Sequence, residues 1–360
     1  MYEAGKVQQS IWTTPVDLQK GAVEVYNENF FIDLSNYRME WELVSEGVPV
    51  AQGVVNDLDI APQQRKTITL GYTLPEGTGE VLLNVRYLLK QADGLLPAGT
   101  CLAYDQLEVR PYSAFSAEAC PAVDSVRQVP STKALIFEGN NFSVSFDRAS
   151  GWMTDYTIDG KDLILEGYPL RPSFWRAPTD NDFGAQMQQK FRLWHDPQMK
   201  LKSLEAKPQE GEMVVAAKYE LPELAAQLEL TYTIDGNGAI EVAEVLTVDP
   251  AQKDMPHLFR FGMELTMPHQ YDRICYYGRG PQESYSDRKA AALIGLYTEE
   301  VDDQYYPYIR PQESGNKTDV RYWKQIDRSG RGFEIRSDRP FQASALPYLT
   351  ADLDDGIEKH

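Results

Sequence analysis

The chain has 360 residues, 42% hydrophobic and 25% charged, which suits a folded protein of about two domains. Asp and Glu outnumber Lys and Arg by 54 to 35, and the resulting charge of −19 repels phosphate backbones, so no nucleic-acid partner is expected. No run approaches the roughly 18 consecutive apolar residues of a membrane helix, so no membrane partner is expected either.

Cys101, Cys120 and Cys275 lie far apart with no C-x-x-C pair, which argues against a zinc site or a disulfide framework and leaves the compartment open. The first residues, "MYEAGKVQQSIWTTPVDLQ", lack a basic stretch ahead of an apolar core. They read as a chain taken up partway rather than as a secretory signal.

Strand patterns dominate the rest of the chain. "GAVEVYNENFFIDLSNYRMEWELVSEGVPVAQGVV" alternates apolar and polar residues, with "SEG" as a turn and Trp41 as a core plug. "RKTITLGYTL" and "GEVLLNVRYLLK" continue at short spacing, which predicts a β-sandwich over residues 15–112. Residues 1–14 are expected to be a linker. From Val109 the pattern breaks into Pro, Ser and Ala, and a second linker is expected over 113–132.

A larger β region is expected over 133–360. It carries a strong hairpin signal at Asp159–Gly160 and a second turn at "DGNG". One segment departs from the strand pattern. In "SFWRAPTDNDFG" two aromatics precede a rigid Pro178 and a polar turn. Met187, Phe191 and Trp194 then recur at helical spacing, predicting a helix after Gly184 that Asp180 or Asp182 caps.

Chemical motifs are sparse. H-E-x-x-H, G-x-S-x-G and the P-loop are missing, and His195, His257, His269 and His360 show no metal spacing. No catalytic or metal-ligating residue is therefore assigned. Two polar clusters stand out. "GRGPQESYSDRKAA" gathers Glu283, Tyr285, Asp287 and Arg288, and "YYPYIRPQESGNKTDVRYW" gathers Arg310, Glu313, Asn316, Lys317, Asp319 and Arg321. Acids, amides and arginines among aromatic rings suit sugar hydroxyls and ring faces, and they equally suit a structural ion-pair network.

These same segments resemble signature stretches of the large bacterial β-galactosidases of glycoside hydrolase family 2. "VEVYNENFFIDLSNYRMEWELVSEG" resembles the sandwich that precedes them, and "YEAGKVQQSIW" resembles the exit from that family's catalytic barrel. The resemblance implies an all-β fold: an immunoglobulin-like β-sandwich, then a large antiparallel supersandwich of the galactose-mutarotase type, incomplete at its C-terminus.

It also implies that the catalytic glutamates and most magnesium and sodium ligands lie in an upstream barrel, so no cofactor is expected in this chain. The implied partners are that barrel and a β-galactoside substrate. Whether the parent forms a homo-oligomer, and whether it works in the cytoplasm or the periplasm, is left open. Carried over by motif, Arg176, Asp180, Asn181 and Asp182 would anchor a loop at the active-site rim, with Gly184 as its hinge. An aldose epimerase and a carbohydrate-binding module are the alternatives.

Overall fold

The computed structural model describes residues 1–114 and 126–354. The middle of the expected 113–132 linker, with Cys120, falls outside them. The strand Arg127–Val129 already opens the second β region ahead of the expected boundary.

Two sheets form the first sandwich. Strands Ile11–Asp17, Ala22–Asn27 and Arg65–Thr69 make one. Strands Val48–Val55, Tyr37–Ser45, Val81–Leu89 and Cys101–Arg110 make the other, and every pairing is antiparallel. The period-two alternation is literal in Tyr37–Ser45: Tyr37, Met39, Trp41 and Leu43 enter the core while Arg38, Glu40 and Glu42 stay half-exposed.

Trp41 is the core plug. A β-carbon on Gly53, its cross-strand partner, would lie 2.5 Å from the indole, so only glycine leaves the ring room. The "SEG" turn places Glu46 and Gly47 at φ +49° and +83°, as a two-residue hairpin requires.

Residues 1–14 carry ordered elements. Tyr2–Val7 is helical and the first strand begins at Ile11. Asp105 gathers this segment in: it accepts from Lys6 Nζ (2.6 Å), Gln9 Nε2 (3.2 Å) and the Thr13 amide (2.7 Å). Such a carboxylate, enclosed and fully hydrogen-bonded, ties the segment to a strand almost a hundred residues away.

The second region packs a five-stranded sheet on a four-stranded one. The first runs Lys161–Asp162, Met153–Ile158, Phe142–Asp147, Ala134–Glu138, Arg127–Val129. The second runs Lys200–Gln209, Glu212–Leu221, Ala226–Ile234, Ile240–Val248. Their inner faces share one core, in which Phe146 meets Tyr232 edge-on at 4.9 Å.

Both expected turns form here. Asp159 and Gly160 sit at φ +51° and +71°, and the Asp235 carboxylate accepts the amides of Asn237 and Ala239 in the other turn. Glu244 breaks the apolar row of the last strand. Burial pushes its carboxyl up to about 8, and its Oε1 has no hydrogen-bond partner among the described residues.

A further sheet, ordered Leu293–Glu300, Arg273–Gly280, Lys317–Ile326, Gly332–Ala343, joins the two sandwiches. One face carries Ile274, Tyr276, Val320 and Trp323, with Tyr276 stacked on Trp323 at 5.4 Å. From the other face Tyr277 and Arg321 reach Glu80 of the first sandwich. Tyr277 Oη donates to Glu80 Oε2 (2.5 Å), and Arg321 binds both oxygens through Nε (3.1 Å) and Nη2 (2.6 Å).

Glu80 is 1% exposed. Farther along the same strand pair Gln106 exchanges both amide hydrogen bonds with Ile294, and Tyr104 donates to the Ala291 carbonyl.

This arrangement has two testable consequences. Glu80→Ala strands a buried guanidinium and should cost about 3–5 kcal/mol. Calorimetry should then resolve the first sandwich melting apart from the rest, and a single unshifted transition would contradict the seam. Glu244 has a folded value raised above its ordinary 4.5, so its contribution is fully present below pH 4.5 and lost as pH rises towards about 8. Thermal melts should therefore show Glu244→Gln gaining on the parent chain across that window; a difference independent of pH would contradict it.

Candidate functional site

The non-strand segment Ser173–Gly184 starts with anchors. Phe174 lies 5.4 Å from Trp194, and Trp175 meets Phe259 edge-on at 4.7 Å. With both rings buried, the following residues are held at the surface of the second core.

The next turn is a capping box. Thr179 Oγ1 accepts the Asp182 amide (3.3 Å) while Asp182 Oδ2 accepts the Thr179 amide (2.8 Å), starting the short helix Asp180–Gly184. Arg176 Nη2 clasps both Asp182 oxygens at 3.0 and 2.9 Å. Asp182 is buried and fully used.

The helix therefore begins before Gly184, and Thr179 is its cap rather than Asp180 or Asp182. Nor do Met187, Phe191 and Trp194 share one helix. Gln186 at φ +57° interrupts it, leaving Met187–Lys190 and a 3-10 turn at Arg192–Trp194. Phe191 and Trp194 still reach the core, against Phe259 and the Pro256 carbonyl, because tertiary contacts rather than helical propensity select the turn.

All three singled-out segments converge here. Gln312 brackets Asp180, accepting its amide and donating to its carboxylate, both at 3.3 Å. Arg310 lies 3.6 Å from the same carboxylate and 5.0 Å over the Phe183 ring. The Glu313 amide donates to the Ala177 carbonyl (3.2 Å), and its carboxylate pairs with Arg260 (2.7 Å). Burial pushes the Glu313 carboxyl above its ordinary range against the pull of Arg260 and Arg176.

Beside it, Glu283 accepts from Arg288 (2.5 Å), the Tyr308 hydroxyl and the Gly315 amide (2.9 Å). Asn316 closes the lattice by donating to the Ser284 carbonyl (2.7 Å) and to Gln342 (3.0 Å). Arg176 Nε, Tyr285 Oη, Ser314 Oγ, Gln282 Oε1 and Gln304 Oε1 are buried with no hydrogen-bond partner among the described residues. Buried polar atoms of this kind are commonly met by ordered internal water.

Other expected residues stand apart from this lattice. Asp319 pairs with Arg279 (2.5 Å) and Lys289 (3.1 Å); burial would raise its carboxyl, but those hydrogen bonds hold it below the ordinary range. Arg321 belongs to the seam with Glu80. Asn181 and Asp287 are exposed.

Gly184 has open space where a β-carbon would sit and no left-handed φ, so the folded geometry itself does not require glycine there. His195 and His257 stand edge-on against Trp175 and Phe191, serving as aromatic partners. Among the described residues no three His, Cys, Asp or Glu side chains are grouped to hold a metal.

Arg260, Gln312 and Thr179 did not stand out in the sequence. Only Thr179 had a local signal, the T-x-x-D capping spacing. If Asp182 couples cap and clamp, Asp182→Ala should cost more than the about 1 kcal/mol typical of a lost cap such as Thr179→Ala, because Arg176 also loses its partner. Denaturant midpoints of the two variants test this, and equal losses would contradict it.

The comparisons with known proteins agree with this layout. A family model described as the β-galactosidase small chain matches residues 138–360, within the second β region, and one described as β-galactosidase domain 4 matches residues 23–110, within the first sandwich. A β-galactosidase of Priestia megaterium is 32% identical over 98% of this chain and 34% of its own length. One from Halalkalibacterium halodurans is 28% identical over 98% of this chain and 35% of its own. One from Lactobacillus delbrueckii subsp. bulgaricus is 30% identical over 94% and 33%. The chain thus spans about a third of the length of the curated relatives it matches. It belongs to the β-galactosidase small-chain family.

Proposed function

We propose that this chain serves as a non-catalytic C-terminal region of a β-galactosidase that removes terminal, non-reducing β-D-galactose from β-galactosides such as lactose. In this reading bond cleavage belongs to the two thirds of the relatives that this chain does not match. The chain braces the loop around Asp180–Gly184 at the rim of that active site and supports assembly.

One observation carries the reading: the carboxylates brought together here are each engaged by a cation. Asp182 is held by Arg176, Glu313 by Arg260 and Glu283 by Arg288. Carboxylates so engaged are suited to holding segments in register, whereas glycoside hydrolysis needs two carboxyl groups facing each other across a sugar.

Turnover tests this directly. The purified chain should not hydrolyse a nitrophenyl β-galactoside alone. It should restore turnover to a Priestia megaterium β-galactosidase lacking the matched third, and Arg176→Lys should restore less even when assayed well below its own melting temperature. Hydrolysis by the chain alone, or full restoration by the variant, would overturn the proposal.

A further inference from the structure

The strand Lys317–Ile326 opens on a lysine whose side chain is only 3% exposed. Its Nζ stands 5.7 Å over the ring of Tyr276, which belongs to the core of Ile274, Val320 and Trp323. Burial pushes the Lys317 ammonium below its ordinary range against the pull of Glu299, whose Oε2 lies 3.3 Å away. That contact is an ion pair without the alignment of a hydrogen bond.

A buried ion pair can often be exchanged for apolar side chains of similar volume with no loss of stability. Stability alone therefore does not account for a lysine here. What an apolar pair could not reproduce is the hydrogen bond that Nζ donates to the Pro281 carbonyl.

That bond is one of a set. Asn316, Lys317 and Thr318 together grip the turn that carries Glu283. The Ser284 amide donates to the Asn316 carbonyl (2.7 Å), Asn316 Nδ2 donates to the Ser284 carbonyl (2.7 Å), and the Thr318 amide donates to Ser284 Oγ (3.0 Å). These hold the far side of Glu283, and Lys317 holds the near side at Pro281. Just before it, a β-carbon on Gly280 would lie 2.2 Å from Tyr276 Oη, so the backbone entering the turn rests on the phenol beneath Lys317.

We infer that Lys317 is a positioning residue: by holding the Pro281 carbonyl, its Nζ sets where the turn presents Glu283 to Arg288, Tyr308 and the Gly315 amide. Glu299 offsets the ammonium and is dispensable for the positioning, because an amine donates in either charge state. That the placement matters for turnover rests on the bracing role proposed above; the placement itself does not.

The two roles separate in a pair of substitutions made in the whole chain. Lys317→Met leaves Glu299 buried alone and should lower the melting temperature, and adding Glu299→Gln should recover most of that loss. Hydrogen exchange is read at the Gly315 amide, whose acceptor is Glu283 Oε2, well below each melting temperature. It should be about tenfold faster in Lys317→Met, stay fast in the double variant, and keep the parent rate in Glu299→Gln.

Restoration of turnover to the shortened relative should follow the exchange rate and not the melting temperature. If the parent chain restores no turnover, the bracing role fails while the exchange rates still decide the positioning. A Gly315 rate that returns to the parent value in the double variant would make Lys317 a mere ion-pair partner and overturn the inference. An unchanged rate in Lys317→Met, or an equally fast one in Glu299→Gln, would overturn it too.

Discussion

The constraint on which this structure depends is one buried carboxylate. Glu80 leaves the first sandwich at a point where Arg321 and Tyr277 of the joining sheet both reach it, and water is excluded from all three. An unpaired charge there would be expensive, so the sheet has little freedom to slide. The Gln106–Ile294 exchange extends the same register along the sheet margin.

The strand Lys317–Ile326 carries this constraint towards the candidate site. Asn316 precedes it and belongs to the polar lattice, Thr318 bonds Ser284, Val320 and Trp323 fill the third core, and Arg321 closes the seam. Asp319 bends it locally at φ +50°, a position that aspartate tolerates better than most residues, and that bend aims its carboxylate at Arg279 and Lys289. One strand thus ties the inter-sandwich contact to the loop network around Glu283 and Glu313. The carboxylates of that network are each engaged by a cation: Asp182 by Arg176, Glu313 by Arg260 and Glu283 by Arg288.

Much of the fold was legible because strand periodicity and turn chemistry are local. The alternation in Tyr37–Ser45 and the positive φ angles at Asp159–Gly160 need only neighbouring residues. The helix and strand start within the first fourteen residues were not legible locally, because what holds them is Asp105, far along the chain. The helix face of Met187, Phe191 and Trp194 failed for a related reason: the same spacing serves a broken turn when Phe259 and Pro256 offer the contacts. The polar clusters were visible as clusters, yet their division was not. Asn316, Asp319 and Arg321 are neighbours in sequence and have three separate partners in space. Arg260 carried no local mark; only the topology sets it beside Glu313.

The central claim is that the seam at Glu80 holds the site's lattice rigid through a single strand. Native-state hydrogen exchange on the chain and on Glu80→Gln tests it most directly, read at the amides of Ser284, Glu313 and Gly315, which donate to Asn316, Ala177 and Glu283. All three should exchange faster in the variant, together with the seam amide of Ile294. Faster exchange at Ile294 alone, with the three site amides as protected as before, would contradict it.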